Sequence, residues 1–97
     1  MKEIKLNRTG RRPFGFVGDE VFTGDTKDHA SVRWDKVRVF KTEEGYIMGI
    51  VRVTCMEGER DHFQIRKFPD LEALLTYIKR RLPYLEQQIK IKLNGTI

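Results

Sequence analysis

Between Lys36 and Phe68 the hydrophobic period is two, and from Leu71 to Leu82 it becomes helical. Side chains alternate across a strand but return to one face of a helix every 3.6 residues, so this switch separates a sheet from a helix. In "KVRVFK", Val37 and Val39 share one face, with Lys36, Arg38 and Phe40 on the other. "EEG" reads as a turn. "YIMGIVRVTC" is apolar on both faces, Ile47, Val51 and Val53 against Tyr46, Met48 and Ile50, as in a strand covered on both sides. "MEGER" is a second turn, and "HFQIRKF" sets Phe63 and Ile65 against His62, Gln64 and Arg66. Short glycine-containing turns between such runs predict an antiparallel meander.

The helix follows directly. Leu71, Leu74, Leu75, Ile78 and Leu82 recur at helical spacing, Pro69 and Asp70 suit a first turn, and Pro83 stops the run. The expected span is about 70–82. "EIKLN" reads as a strand, and "PFGFVGDEVF" as a strand broken at Gly15 and Gly18, with a bulge. "TGDTKDHAS" has loop composition. "QIKIKLNG" alternates Ile89, Ile91 and Leu93 against Lys90, Lys92 and Asn94, which predicts another strand, with room for a short helical turn over 84–88 before it. Residues 4–9 (IKLNRT) and 91–96 (IKLNGT) echo each other. Both read as edge strands with lysines turned outward against aggregation.

The expected fold is α+β: an antiparallel sheet of five or six strands with one C-terminal amphipathic helix packed on one face. At 97 residues it makes a single domain, 1–97. The helix is expected to cover Val37, Val39, Ile47, Val51, Val53, Phe63 and Ile65. The opposite face then mixes bases with aromatics and is too apolar at Met48 and Ile50 to stay bare. The N-terminal segment, a ligand or a second copy must cover it, and a second copy makes a homodimer.

The charge is +5, from 19 Lys and Arg against 14 Asp and Glu, which permits nucleic acid as a partner without demanding it. No apolar run approaches the ~20 residues of a membrane span. "MKEIKLNRTGRR" lacks the apolar core of a signal peptide, so no membrane partner is expected. Cys55 is the single cysteine and excludes an internal disulfide, in keeping with a reducing, cytoplasmic compartment.

"RPFGFV", Arg12 to Val17, resembles the RNA-binding signature RNP1, K/R-G-F/Y-G/A-F-V-x-F/Y. Pro13 replaces the motif's first glycine, and Asp19 stands where its last aromatic belongs. An RNA-recognition motif puts a strand, a helix and a strand before RNP1, and only about twelve residues precede the run here. A cold-shock domain carries a similar run this early, but it is an all-β barrel without the C-terminal helix. Neither family is assigned. What stays is physical: aromatics offer faces to bases, and arginines neutralise phosphates. The candidate contacts are Arg11, Arg12, Phe14 and Phe16, with Arg38, Phe40, Tyr46, Arg52 and Arg66 on the sheet face. The bland reading makes Phe14 and Phe16 inward strand residues.

Enzymatic signals are weaker. Asp28, His29 and Ser31 are the ingredients of a hydrolytic triad, but they fall in a polar loop without a nucleophile elbow. Asp19 with Asp25-Thr26-Lys27 faintly matches the two carboxylates and lysine of a metal-dependent nuclease. Cys55 and His62, with the distant His29, fall short of a zinc ligand set, and Cys55 is expected to pack at a strand end. No phosphate loop, dinucleotide fingerprint or calcium loop occurs. The reading is therefore a small basic non-enzymatic binding domain, without cofactor or metal, whose leading partner is single-stranded DNA or RNA. The alternative is a homodimeric protein-interaction or structural module that binds no nucleic acid, and a metal-dependent nuclease is a remote third.

Overall fold

The computed structural model describes residues 1–26 and 32–93. Five strands form one antiparallel sheet in sequence order: β1 (Lys2–Arg8), β2 (Arg11–Asp25), β3 (Arg33–Thr42), β4 (Gly45–Thr54) and β5 (His62–Phe68). Helix α1 (Leu71–Arg81), a 3₁₀ turn (Pro83–Leu85) and helix α2 (Glu86–Leu93) follow. The chain is thus α+β with two short C-terminal helices, not one. Among the described residues no helix is long and apolar enough to cross a membrane.

The predicted strand at "QIKIKL" is α2. Its alternation misled, because Ile91 is exposed while Leu82, Leu85 and Ile89 are buried. Leu85, Ile89 and the half-buried Leu93 recur every four residues, the spacing of one side of a helix. Pro83 ends α1 and also occupies the first position of the next turn, where a missing N–H costs nothing. Residues 94–97 lie outside the described part, so the terminal echo is half covered.

The sheet register decides which faces form. Glu43 and Glu44 make a two-residue turn that pairs Thr42 with Gly45, so Val37 meets Ile50 and Val39 meets Met48. A register shifted by one residue turns every side chain to the other face. The helix side therefore carries Val37, Val39, Tyr46, Met48 and Ile50, rather than Ile47, Val51 and Val53 beside the two valines. Phe22 joins them after a bulge between Glu20 and Phe22 in β2, and Phe68 pairs with Tyr46. The bulge falls past Gly15 and Gly18, and β2 runs unbroken through both.

Helix α1 closes this face. The Asp70 side chain accepts from the Ala73 N–H at 2.8 Å and caps its start. Leu74 and Ile78 are buried under it, and Leu82, Leu85 and Ile89 extend the same core. Leu75 is only half-buried.

The other face is covered from within the chain. The sheet curls into a half-barrel, and the β1–β2 hairpin lays Ile4, Leu6, Phe14 and Phe16 over Phe40, Ile47 and Ile65. Gly49 allows this close approach, since a Cβ there would come within 3.1 Å of Leu6 Cδ1. At the seam the Thr9 N–H donates to the Phe63 carbonyl at 3.0 Å, and the Phe63 N–H donates to Thr9 Oγ1 at 2.7 Å. Met48 is fully buried on the helix side, so the bare apolar face that motivated a homodimer does not form.

The β4–β5 turn is held electrostatically. Arg33 donates through Nε and Nη2 to the Glu59 carboxylate at 3.0 and 2.7 Å, and Thr54 Oγ1 donates to Glu59 at 2.6 Å. The Arg33 and Thr54 hydrogen bonds hold the Glu59 carboxyl below the usual carboxylate range. A depressed pKa contributes stability above the unfolded-state value and loses it as pH falls through the folded-state value. Amide exchange at residues 54–60 should therefore speed up as pH drops below about 4, beyond the intrinsic rate change. Glu59→Gln should abolish that excess.

Candidate nucleic-acid interface

The nine residues singled out in the sequence fall in three places. Arg11, Arg12, Phe14 and Phe16 lie at the head of β2, on the hairpin that covers the concave face. Arg38 and Phe40 lie on the concave face itself. Tyr46, Arg52 and Arg66 lie on the helix side. The continuous arginine–aromatic face expected from the alternation is divided by the one-residue register difference between β3 and β4.

Phe40 is fully buried, with its ring edge-on to Phe16 at 5.2 Å between centroids. It cannot stack on a base without unfolding the concave core. Arg38 lies over the Phe40 ring at 5.0 Å and is paired with Glu20. Tyr46 is half-buried against the main core.

The head of β2 differs. Phe14 and Phe16 stack at 5.6 Å, and both are half-buried. The Arg8 guanidinium lies over the Phe14 ring at 5.4 Å and the Lys67 ammonium at 4.6 Å. Arg8 Nε donates to the Arg12 carbonyl at 3.0 Å, which fixes that guanidinium. Arg11 and Arg12 are exposed beside it. Among the described residues no acid pairs with Arg8, Arg11, Arg12 or Lys67. From Phe14 a groove of about 670 Å³ runs past Phe16, Tyr46 and Phe68. Glu43 and Glu44 line it together with Lys67, so it carries charges of both signs. The structure thus brings Phe14, Phe16 and Tyr46 together and adds Lys67 and Phe68. Sequence reasoning missed Lys67, because strand alternation alone does not reveal which face curls toward β2.

Arg52 and Arg66 belong to a separate basic groove between the sheet and α1. The Asp35 carboxylate accepts from Arg52 Nε at 3.0 Å and Nη2 at 3.4 Å, which raises the Arg52 pKa.

The two carboxylates of the metal-dependent nuclease reading do not come together. Asp19 pairs with Lys41 and Asp25 with Lys36, near opposite ends of the β2–β3 pairing. Six residues of strand separate the carboxylates by roughly 20 Å, too far to share one metal ion. Lys27, Asp28, His29 and Ser31 lie outside the described residues. Cys55 is exposed rather than packed, and its Sγ–H donates to the Val32 carbonyl at 3.4 Å. Among the described residues no three His, Cys, Asp or Glu side chains group as metal ligands. No protein-family model, curated protein or solved structure matches the chain.

Proposed function

We propose that the chain is a non-enzymatic nucleic-acid-binding domain that grips a single strand at the head of β2. One observation carries the reading: the half-buried Phe14 ring lines an aromatic groove and carries both Arg8 and Lys67 over it, with Arg11 and Arg12 exposed on the same strand. A base that slides onto Phe14 displaces a cation from the ring, and that cation then turns to the phosphate. Phe16 and Tyr46 offer apolar surface to the next base. Stacking of this kind tolerates any base, while the arginines supply most of the attraction. The cytoplasm as compartment belongs to the same proposal and rests on the single cysteine. A homodimeric interaction module is the weaker reading, because Met48 is buried and Ile50 half-buried beneath the helices.

Anisotropy of a labelled oligothymidylate or oligouridylate at ~50 mM salt tests the proposal. The double variant Arg11→Gln, Arg12→Gln should flatten the log–log salt slope by roughly 1.4, at ~0.7 per phosphate on single strands. Phe14→Ala should weaken binding by about 1–3 kcal/mol while the protein stays folded. Absence of binding by the unmutated protein at that salt overturns the reading. Unchanged affinity in Phe14→Ala moves the strand elsewhere.

A further inference from the structure

The basic groove on the helix side has a different composition from the head of β2. It encloses about 440 Å³ between β4–β5 and the C-terminal half of α1. Arg52, His62, Arg66 and Arg81 line it, and Asp35 is the single carboxylate among its lining residues. Three guanidiniums against one carboxylate leave a local charge of +2, His62 left out of the count. Apolar walls from Ile50 and Leu82 keep the field concentrated in the groove.

Two of the guanidiniums are held in the same way. Asp35 engages Nε and Nη2 of Arg52. With the Gln64 amide oriented by its hydrogen bonds, its oxygen accepts from Arg66 Nε at 2.8 Å and Nη2 at 2.7 Å. The Tyr77 ring, 5.8 Å from Arg66 Cζ, supports Arg66 from α1. In each case one edge of the guanidinium is occupied by a protein acceptor, and among the described residues none engages Nη1. Their partners restrain both arginines, so an anion that bridges them needs little further ordering of long side chains. Arg81 adds a third donor from the last turn of α1.

We propose that this groove is a phosphate-binding site that takes a phosphomonoester or diphosphate group. A phosphomonoester carries about −1.5 to −2 charge near neutral pH, matching the +2 of the groove, and a diphosphate carries still more negative charge. Its oxygens accept the in-plane donors that arginine presents. The group can come from a free diphosphate or from the terminal phosphate of a nucleic-acid strand. Arg66 pairs with Met48 on the helix side of the sheet, whereas Phe14 lies on the concave side, so the site does not depend on strand binding at Phe14.

Calorimetric titration with pyrophosphate at low salt tests it, alongside arginine Nε and His62 chemical shifts. A saturable isotherm is expected, with a dissociation constant of about 1 mM or tighter. Arg66→Gln and Arg81→Gln should each weaken it about tenfold, the worth of a lost charge-assisted hydrogen bond. Both side chains are exposed, so the variants should melt with the unmutated protein. The Arg11→Gln, Arg12→Gln double variant should bind pyrophosphate unchanged. No saturation, undiminished affinity in Arg66→Gln, or an equal loss in the β2 double variant each overturns the site. Oligonucleotides with and without a 5′-phosphate then separate the sources. Preference for the phosphorylated end assigns the site to strand termini, and indifference assigns it to free diphosphates. Pyrophosphate has no base to stack, so failure here is distinct from failure of the single-strand proposal.

Discussion

Phe40→Ala should destabilise the protein by roughly 3–5 kcal/mol, a typical cost for deleting a buried phenylalanine ring. A small domain has only about 5–15 kcal/mol of stability, so this change removes a large share. The ring is fully buried and joins the two layers of the concave core, with Phe16 and Leu6 above it and Ile47 beside it. The helix face cannot compensate, because its core is built from other residues on the opposite side of the sheet. Urea unfolding followed by the single tryptophan measures the loss. Phe14→Ala is the control: its ring is half-buried at the edge of the same cluster and should cost clearly less. A Phe40→Ala protein that keeps its stability within about 0.5 kcal/mol would show that the concave core does not depend on this ring. If it also lost oligonucleotide affinity, Phe40 would be a surface contact after all.

Phe40 also shows where sequence reading stops. Alternation within "KVRVFK" put Phe40 opposite Val37 and Val39, and that holds in β3. What alternation cannot supply is which face of one strand continues into the next. The Glu43–Glu44 turn sets that register, and one residue of difference sends Met48 under the helices and Ile47 to the concave side. The meander, its turns and a helix within the expected span were legible because period and breakers are local signals. The second helix was not, because Ile89, Ile91 and Leu93 fit a strand locally. Only the spacing of four from Leu85 through Ile89 to Leu93 exposes the helical face.

The candidate site was legible in part for the same reason. Arg11, Arg12, Phe14 and Phe16 are close in sequence and stay close in space. Lys67 reaches Phe14 only because the sheet curls, and Tyr46 and Phe68 complete the groove from distant strands. Arg52 and Arg66 were singled out as part of a stacking face. Their neighbours Asp35, Gln64 and Tyr77 give them another setting, which depends on the packing of α1 against β5.

Leu74→Ala should cost roughly 2–5 kcal/mol, and its comparison with Leu75→Ala reads out the rotation of α1. Both leucines lie on the apolar side of the helix, and sequence spacing treats them alike. The structure separates them: Leu74 is fully buried against the sheet, whereas Leu75 is half-buried at the side. Adjacent helical positions point about 100° apart, so α1 would have to turn through much of that angle to exchange their burial. Leu75 should therefore lose roughly half as much as Leu74, in proportion to the apolar surface each removes from water. The Asp70 cap and the contact of Phe68 with Tyr77, 5.4 Å between ring centroids, fix that rotation at the start and middle of the helix. Denaturant midpoints for the two variants decide it. Equal losses would mean that α1 is turned toward Leu75. The Tyr77 ring would then swing away from Arg66, and the support for the phosphate groove would go with it.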